Sequence, residues 1–425
     1  RKTKAVRSNT VVVTPVERAF DEIVELIRVA RQQAADQVVA HIEGLGASAR
    51  VVLADTTLDD AAVLVADGRI EAICPNAAPS GAREIDLTGR ILMPGMIDLH
   101  CDALEKEVEP RPGVHFPLDF ACAQADKRNA AAGITTVFHA LSFANHELGV
   151  RNNGFAAEIA RAVGAWQPHA LVDNRVHARY EVTDETAPPF LIELLRQGHA
   201  HLVSFMDHTP GQGQFKDVTA FRSYLAKSYK TSEAELDAIV ARKQAAALGA
   251  AERIAQVAQV ARECGVAVAS HDDDSPEKVE AVVAFGAAIS EFPVNLETAR
   301  AARARGLATL FGAPNVLRGK SQSGSMRALD AVLEGVADCL CGDYSPAALL
   351  PSVLRLPELA GIGLHEAVAL VTANPARAAG LNDRGLIAVG LRADLIAVKA
   401  LGGLPQAEFV WVHGAPALSA HFDHA

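Results

Sequence analysis

The thirteen residues from Leu92 to Leu104, LMPGMIDLHCDAL, constrain the fold of this chain more than any other stretch. Met93-Pro94-Gly95 is turn chemistry, and Met96-Ile97-Asp98-Leu99 then reads as a short, mostly apolar strand of the kind buried in a parallel sheet. His100 and Asp102 follow at a two-residue interval. Side chains alternate faces along a strand, so these two point the same way and can close on one cation, with Cys101 turned away. Three later strand-like runs end in the same residue types, at Met206-Asp207-His208, Ser270-His271-Asp272 and Gly342-Asp343. Convergence of such groups from separate strand ends is the pattern of a (β/α)8 barrel, whose chemistry sits where its strands end.

Apolar runs alternating with helical segments predict eight barrel strands: Ile97–Asp102, Thr135–Leu141, Val176–Val182, Leu202–His208, Val266–His271, Ala287–Phe292, Ala308–Ala313 and Cys339–Asp343. The Ala-, Gln- and Glu-rich stretch from Ser232 to Cys264 reads as one or two helices and makes the fourth connection long. From Val51 to Ile91, short alternating strands are broken by turns, and residues 385–412 have the same texture. The expected organisation is therefore an α/β chain in three parts. Residues 1–50 form an N-terminal helical extension; residues 51–92 and 384–425 form a small composite β-sandwich domain from both ends of the chain; residues 93–383 form the TIM-like barrel. A one-sided apolar stripe from Pro15 to Glu43 marks the extension as a docking or dimer helix, which makes a homodimer the expected assembly.

A net charge of −11 argues against general affinity for nucleic acid or an anionic membrane, so an anionic substrate needs a local basic pocket. No apolar run reaches the roughly 18–20 residues of a membrane span, and Arg1-Lys2-Thr3-Lys4 lacks the apolar core of a signal peptide. The six scattered cysteines look like reduced intracellular thiols, and a cytoplasmic location is expected.

The candidate metal ligands are His100, Asp102, Glu181, His208 and His271. Imidazole and carboxylate ligands suit a divalent metal, zinc first, with manganese or iron as alternatives and one or two ions as the stoichiometry. Glu181 ends the third strand, where a carboxylate can bridge two cations; His208 competes for that place, as does Glu291 at the end of the sixth strand. Asp343, ending the last strand, is placed to take the proton of an attacking water as general base; a divalent cation lowers such a water's pKa to about 7. On the substrate side, Lys106 and Arg111 follow the first motif, Arg179 shares a strand face with Glu181, and Arg318-Gly319-Lys320-Ser321-Gln322-Ser323-Gly324-Ser325 forms a Gly/Ser loop after the seventh strand. Barrels bind phosphate in such loops. Arg318, Lys320, Ser323, Arg179 and Gln212, the last in a loop after the fourth strand, are the expected contacts to a small phosphorylated substrate.

MPGMIDLHCD, the strand-end histidines, and Thr372-Ala373-Asn374-Pro375-Ala376 with Gly390-Leu391-Arg392-Ala393-Asp394-Leu395 resemble the amidohydrolase superfamily. The strings HCDALEKEVEPRPGV, AAGITTVFHALSF, VHARYEV, LVSFMDHTPGQ, VASHDDD, ISEFP, FGAPNVLRG and GDYSPAALL, in that order, resemble its branch of alpha-D-ribose 1-methylphosphonate 5-triphosphate diphosphatases of the carbon–phosphorus lyase pathway. The resemblance spans about residues 51–415. It implies metal-dependent hydrolysis of that 5-triphosphate to the 5-phosphate and pyrophosphate during phosphonate use. The chain departs from the branch at Gly213, where an arginine is usual, at Lys320, Gln322 and Ser325 in the Gly/Ser loop, and at His139, where an aspartate is usual. Relatives of this architecture also often carry a histidine at the place of Glu291. The alternative activity is cleavage of the C–N bond of a cyclic amide or N-acyl amino acid. A non-catalytic barrel used for assembly is the third reading, and the presence of every strand-end ligand speaks against it.

Overall fold

The computed structural model describes residues 44–75, 84–145, 152–209, 233–321 and 325–422. The Pro15–Glu43 helix, Gln212, Gly213 and Ser323 lie outside them.

Eight parallel strands form the barrel: β6 (Met96–Cys101), β7 (Ile134–Phe143), β8 (Asp173–Glu181), β9 (Leu202–Met206), β10 (Ala267–His271), β11 (Ile289–Glu291), β12 (Ala308–Gly312) and β13 (Cys339–Cys341), hydrogen-bonded in sequence order. The ring closes at its C-terminal rim, where Asp343 N–H donates to the His100 carbonyl (2.8 Å) and Asp102 N–H to the Asp343 carbonyl (2.9 Å). These runs make parallel strands because they are apolar on both faces: all ten residues of β7 are buried. Ile97, Leu99, Phe138, Leu202, Ala269, Ile289, Leu310 and Cys339 fill the interior, while the outward-facing residues pack against surrounding helices.

Local signals set the helices. Asn152, Ser275 and Asn295 accept hydrogen bonds at the starts of Asn153–Trp166, Pro276–Ala284 and Leu296–Ala304. A left-handed glycine follows helix after helix, as at Gly306 (φ 82°), and turns the chain back into the next strand. The long fourth connection carries two helices, Glu233–Ala247 and Ala250–Glu263.

The two chain ends build a second, mostly antiparallel sheet. Its strands are β1 (Gly44–Val52), β2 (Thr57–Ala66), β3 (Arg69–Pro75), β4 (Glu84–Ile85), β5 (Ile91–Pro94), β14 (Leu395–Leu401), β15 (Leu404–Val412) and β16 (Ala415–Ser419). The order is β16-β15-β14-β5-β1-β2-β3, with β4 on β1. The β5–β14 pairing joins the two ends, and Val51, Val63, Leu92, Leu395 and Trp411 bury a core on it. The first strand begins at Gly44, within the span that the sequence alone assigns to the extension. Pro94 ends β5 and Met96 opens β6, so the sheet feeds directly into the strand that carries His100. No helix among the described residues is long and apolar enough to cross a membrane.

Candidate active site

His100 and Asp102 face the cavity because β6 is irregular. Between the pairs Asp98↔Val137 and Cys101↔His139, β6 advances three residues while β7 advances two, which is a β-bulge. The extra residue flips the alternation. Ile97 and Leu99 belong to the interior core, Cys101 to the outer one, and His100 turns inward beside Leu99.

Asp98 braces this irregular rim from below. It is fully buried, and its Oδ1 accepts from the His100 N–H (3.1 Å) and the Gly342 N–H (2.9 Å). Burial pushes its carboxyl up to about 7. Gly342 admits no side chain, since a Cβ there would lie 2.4 Å from Asp98 Oδ2 and 2.8 Å from Pro346 Cα. Asp343, next along, takes φ 53°, as Asp272 does at 54° after β10. That left-handed turn breaks the strand alternation, so the adjacent residues His271 and Asp272 join one cluster.

Three sets of side chains bring ligand atoms within 4.8 Å of one another: His100, His271 and Glu291; His208, His271 and Asp272; and His100, Asp102 and Asp343. His100 and His271 each belong to two sets, so shared ligands link the three groups into one cluster. His100 Nδ1 lies 3.3 Å from Glu291 Oε1 and Nε2 lies 3.5 Å from Asp102 Oδ1. Burial alone would lower the His100 pKa, but Glu291 and Asp102 outweigh it and raise it to about 10. Those acids therefore favour positive charge at this spot, which a divalent ion can supply. The second oxygen of Glu291, Oε2, is buried without a hydrogen-bond partner among the described residues. An orphaned buried carboxylate oxygen is costly unless a cation meets it. The donor set, imidazoles and carboxylates, fits a divalent transition metal.

Not every ligand candidate stands in these sets. Glu181 ends β8 but is tied down: its Oε2 lies 2.8 Å from His208 Nδ1, its Oε1 lies 3.4 Å from Lys243 Nζ, and it accepts from the Thr183 hydroxyl (2.6 Å). It lines a neighbouring cavity of about 170 Å³ with Arg242 and Lys243. Its geometry orients His208, whose Nε2 is 4.0 Å from Asp272 Oδ2. Of the three contenders for the shared place, His208 and Glu291 stand in ligand sets and Glu181 does not.

His177 is an addition to the reading from sequence, and Asp272, noted there as a strand-end acid, was not counted among the ligands. Asp272 is the first acid of the run HDDD, which carried the only available signal. His177 lies beneath the site; its Nδ1 is 3.0 Å from the Leu99 carbonyl and its Nε2 is 2.8 Å from Ser204 Oγ. A carbonyl only accepts, so Nδ1 carries the proton, and burial pushes the pKa down to about 3, keeping the ring neutral.

Above the ligands lies a cavity of about 240 Å³. His100, Asp102, His271, Asp272 and Asp343 line one side, and Arg179, Arg318 and Lys320 also face it. Arg179, nearly buried, donates to Ser142 Oγ (2.9 Å), with Nη2 3.1 Å from Asp102 Oδ1. Arg318 donates to the Tyr344 hydroxyl (3.1 Å). Lys106 and Arg111 are exposed and lie off this lining.

Residues 91–418 match the family model described as "Amidohydrolase family". The chain belongs to this family. Among curated amidohydrolase relatives, the alpha-D-ribose 1-methylphosphonate 5-triphosphate diphosphatase of Escherichia coli (strain K12) is 35% identical over 339 residues, covering 78% of this chain and 89% of its own. Two solved structures share the fold. The 5-methylcytosine deaminase of Klebsiella pneumoniae has a TM-score of 0.61 at 16% identity, covering 90% of this chain and 98% of its own. The N-acetyl-D-glucosamine-6-phosphate deacetylase of Mycobacterium smegmatis has 0.60 at 16%, covering 88% and 99%.

Proposed function

We propose that this amidohydrolase is a metal-dependent diphosphatase that hydrolyses alpha-D-ribose 1-methylphosphonate 5-triphosphate, or a close sugar triphosphate, to the 5-phosphate and pyrophosphate. One observation carries the reading: three cationic side chains, Arg179, Arg318 and Lys320, line the same cavity as the strand-end histidines and acids. In a chain of net charge −11, that concentration of guanidinium and ammonium groups suits a polyphosphate, whose charge exceeds that of an N-acyl amino acid or a cyclic amide. The 35% identity to the E. coli diphosphatase supports the same chemistry.

His100, Asp102, His208, His271, Asp272 and Glu291 would hold the divalent metal. Once bound, it supplies Lewis-acid activation of water and neutralisation of phosphoryl oxygens. The residues do the rest. Water attacks the α-phosphorus, the bond from that phosphorus to the α–β bridging oxygen breaks, and pyrophosphate leaves while the 5-phosphate keeps the water's oxygen. Asp343 takes the proton of the attacking water. Burial raises its carboxyl pKa, which makes it a stronger base than an exposed aspartate, and its backbone is locked to His100 and Asp102. Arg179 steers the chain of phosphates towards Asp102, and Arg318 and Lys320 hold its far end.

Arg318→Ala and Lys320→Ala test the assignment. Each removes a charge-assisted contact of about 1.5–3 kcal/mol, so KM for the triphosphate should rise about 10-fold or more, with a smaller change in kcat. An unchanged KM in both variants would remove the loop from substrate binding.

A further inference from the structure

Phe292 follows Glu291 at the end of β11 and takes φ 52°. A bulky residue in the left-handed region costs roughly 1–2 kcal/mol, and such strain gathers at functional sites. Its backbone is not loose, because its N–H still donates to the Leu310 carbonyl (2.9 Å). The strained turn sends the ring into the cavity. There its centroid lies 5.0 Å from the His100 ring at 81° and 5.2 Å from the His271 ring at 62°. The two imidazoles are 5.7 Å apart, so the three rings form a nearly equilateral triangle.

We infer that Phe292 is a positioning residue whose ring wedges His100 and His271 apart and fixes the aim of both imidazoles. This inference rests on the metal reading above. His100 and His271 are the two residues shared between ligand sets, so one ring packs on a member of every set. Edge-to-face packing blocks rotation of each imidazole about its Cβ–Cγ bond, and a rigid aromatic face does so where a flexible aliphatic chain would yield. Neighbours that orient ligands typically alter metal affinity by about 10- to 100-fold when removed. A ring that merely walls the substrate cavity would act on KM and leave metal retention alone.

The test follows zinc release from the metal-loaded protein into excess EDTA. Phe292→Leu and Phe292→Gly should release zinc about 10- to 100-fold faster than wild type, and Phe292→Tyr, which keeps the ring, should behave like wild type. The glycine variant separates ring loss from backbone strain, because glycine accepts this φ freely; its circular dichroism after chelation should match that of wild type while its zinc is lost fast. Leucine and glycine variants that keep zinc as long as wild type, with KM alone raised, would overturn the positioning role and make the ring a substrate wall. A wild type that takes up no stoichiometric divalent metal would overturn the metal reading, and this role with it.

Discussion

In the proposed mechanism, Asp343 carries the largest chemical burden of any single residue. Its carboxyl stands among the ligand acids, its amide is hydrogen-bonded to the His100 carbonyl, and its neighbour Gly342 has no room for a side chain between Asp98 and Pro346. Asp343→Asn keeps the shape and removes the base, so turnover should fall by about 10²- to 10⁴-fold with metal content retained. Metal analysis and steady-state kinetics on one preparation check this: loss of metal would make Asp343 chiefly a ligand, and unaltered turnover would remove it from the mechanism. The pairing of His100 with Asp102 on one face was legible from their spacing. The bulge that makes it work was not, because alternation from Ile97 and Leu99 alone would have turned His100 outward. Asp272 was legible as a strand-end acid but not as a ligand for a related reason, since the left-handed turn that brings it beside its neighbour His271 leaves no periodic trace.

Among elements, the barrel strands were readable because short, mostly apolar runs recur between helical segments; β12, for example, begins at the predicted Ala308 and ends one residue early. The loops were less readable. Arg179 and the Arg318–Lys320 segment reach one cavity only through the closure of the ring, and Glu181 was drawn off by Lys243 from the long fourth connection. A pair of elements far apart in sequence is held by Arg384, which donates to Asp173 at the start of β8 (2.6 Å) and to Thr136 on β7 (3.0 Å). Burial opposes charge on Asp173, but Arg175 and Arg384 outweigh it and hold the carboxyl below its usual range. A lowered carboxyl pKa stabilises the fold above the unfolded value near 3.9, and that contribution is lost as pH falls through the folded value. Asp173→Asn should therefore cost about 1.5–3 kcal/mol at neutral pH. Denaturant midpoints of the two proteins should stay apart between pH 6 and 8 and converge below about pH 4; a gap independent of pH would mean that the ion pair contributes nothing.

At the scale of the whole molecule, both chain ends meet in one sheet, and Pro94 hands the chain from that sheet to the strand bearing His100. The joining of the ends was legible because residues 51–91 and 385–412 share strand texture, whereas the start at Gly44 was not, as GLGAS offers no apolar alternation. Above the barrel, ligands and cations of opposite demand face one cavity, and the proposed substrate rests on that juxtaposition. The direct test is phosphorus NMR of alpha-D-ribose 1-methylphosphonate 5-triphosphate incubated with the zinc-loaded protein. Pyrophosphate and the 5-phosphate should accumulate in equal amounts; an unaltered triphosphate, alongside cleavage of a cyclic amide or N-acyl amino acid by the same preparation, would contradict the diphosphatase.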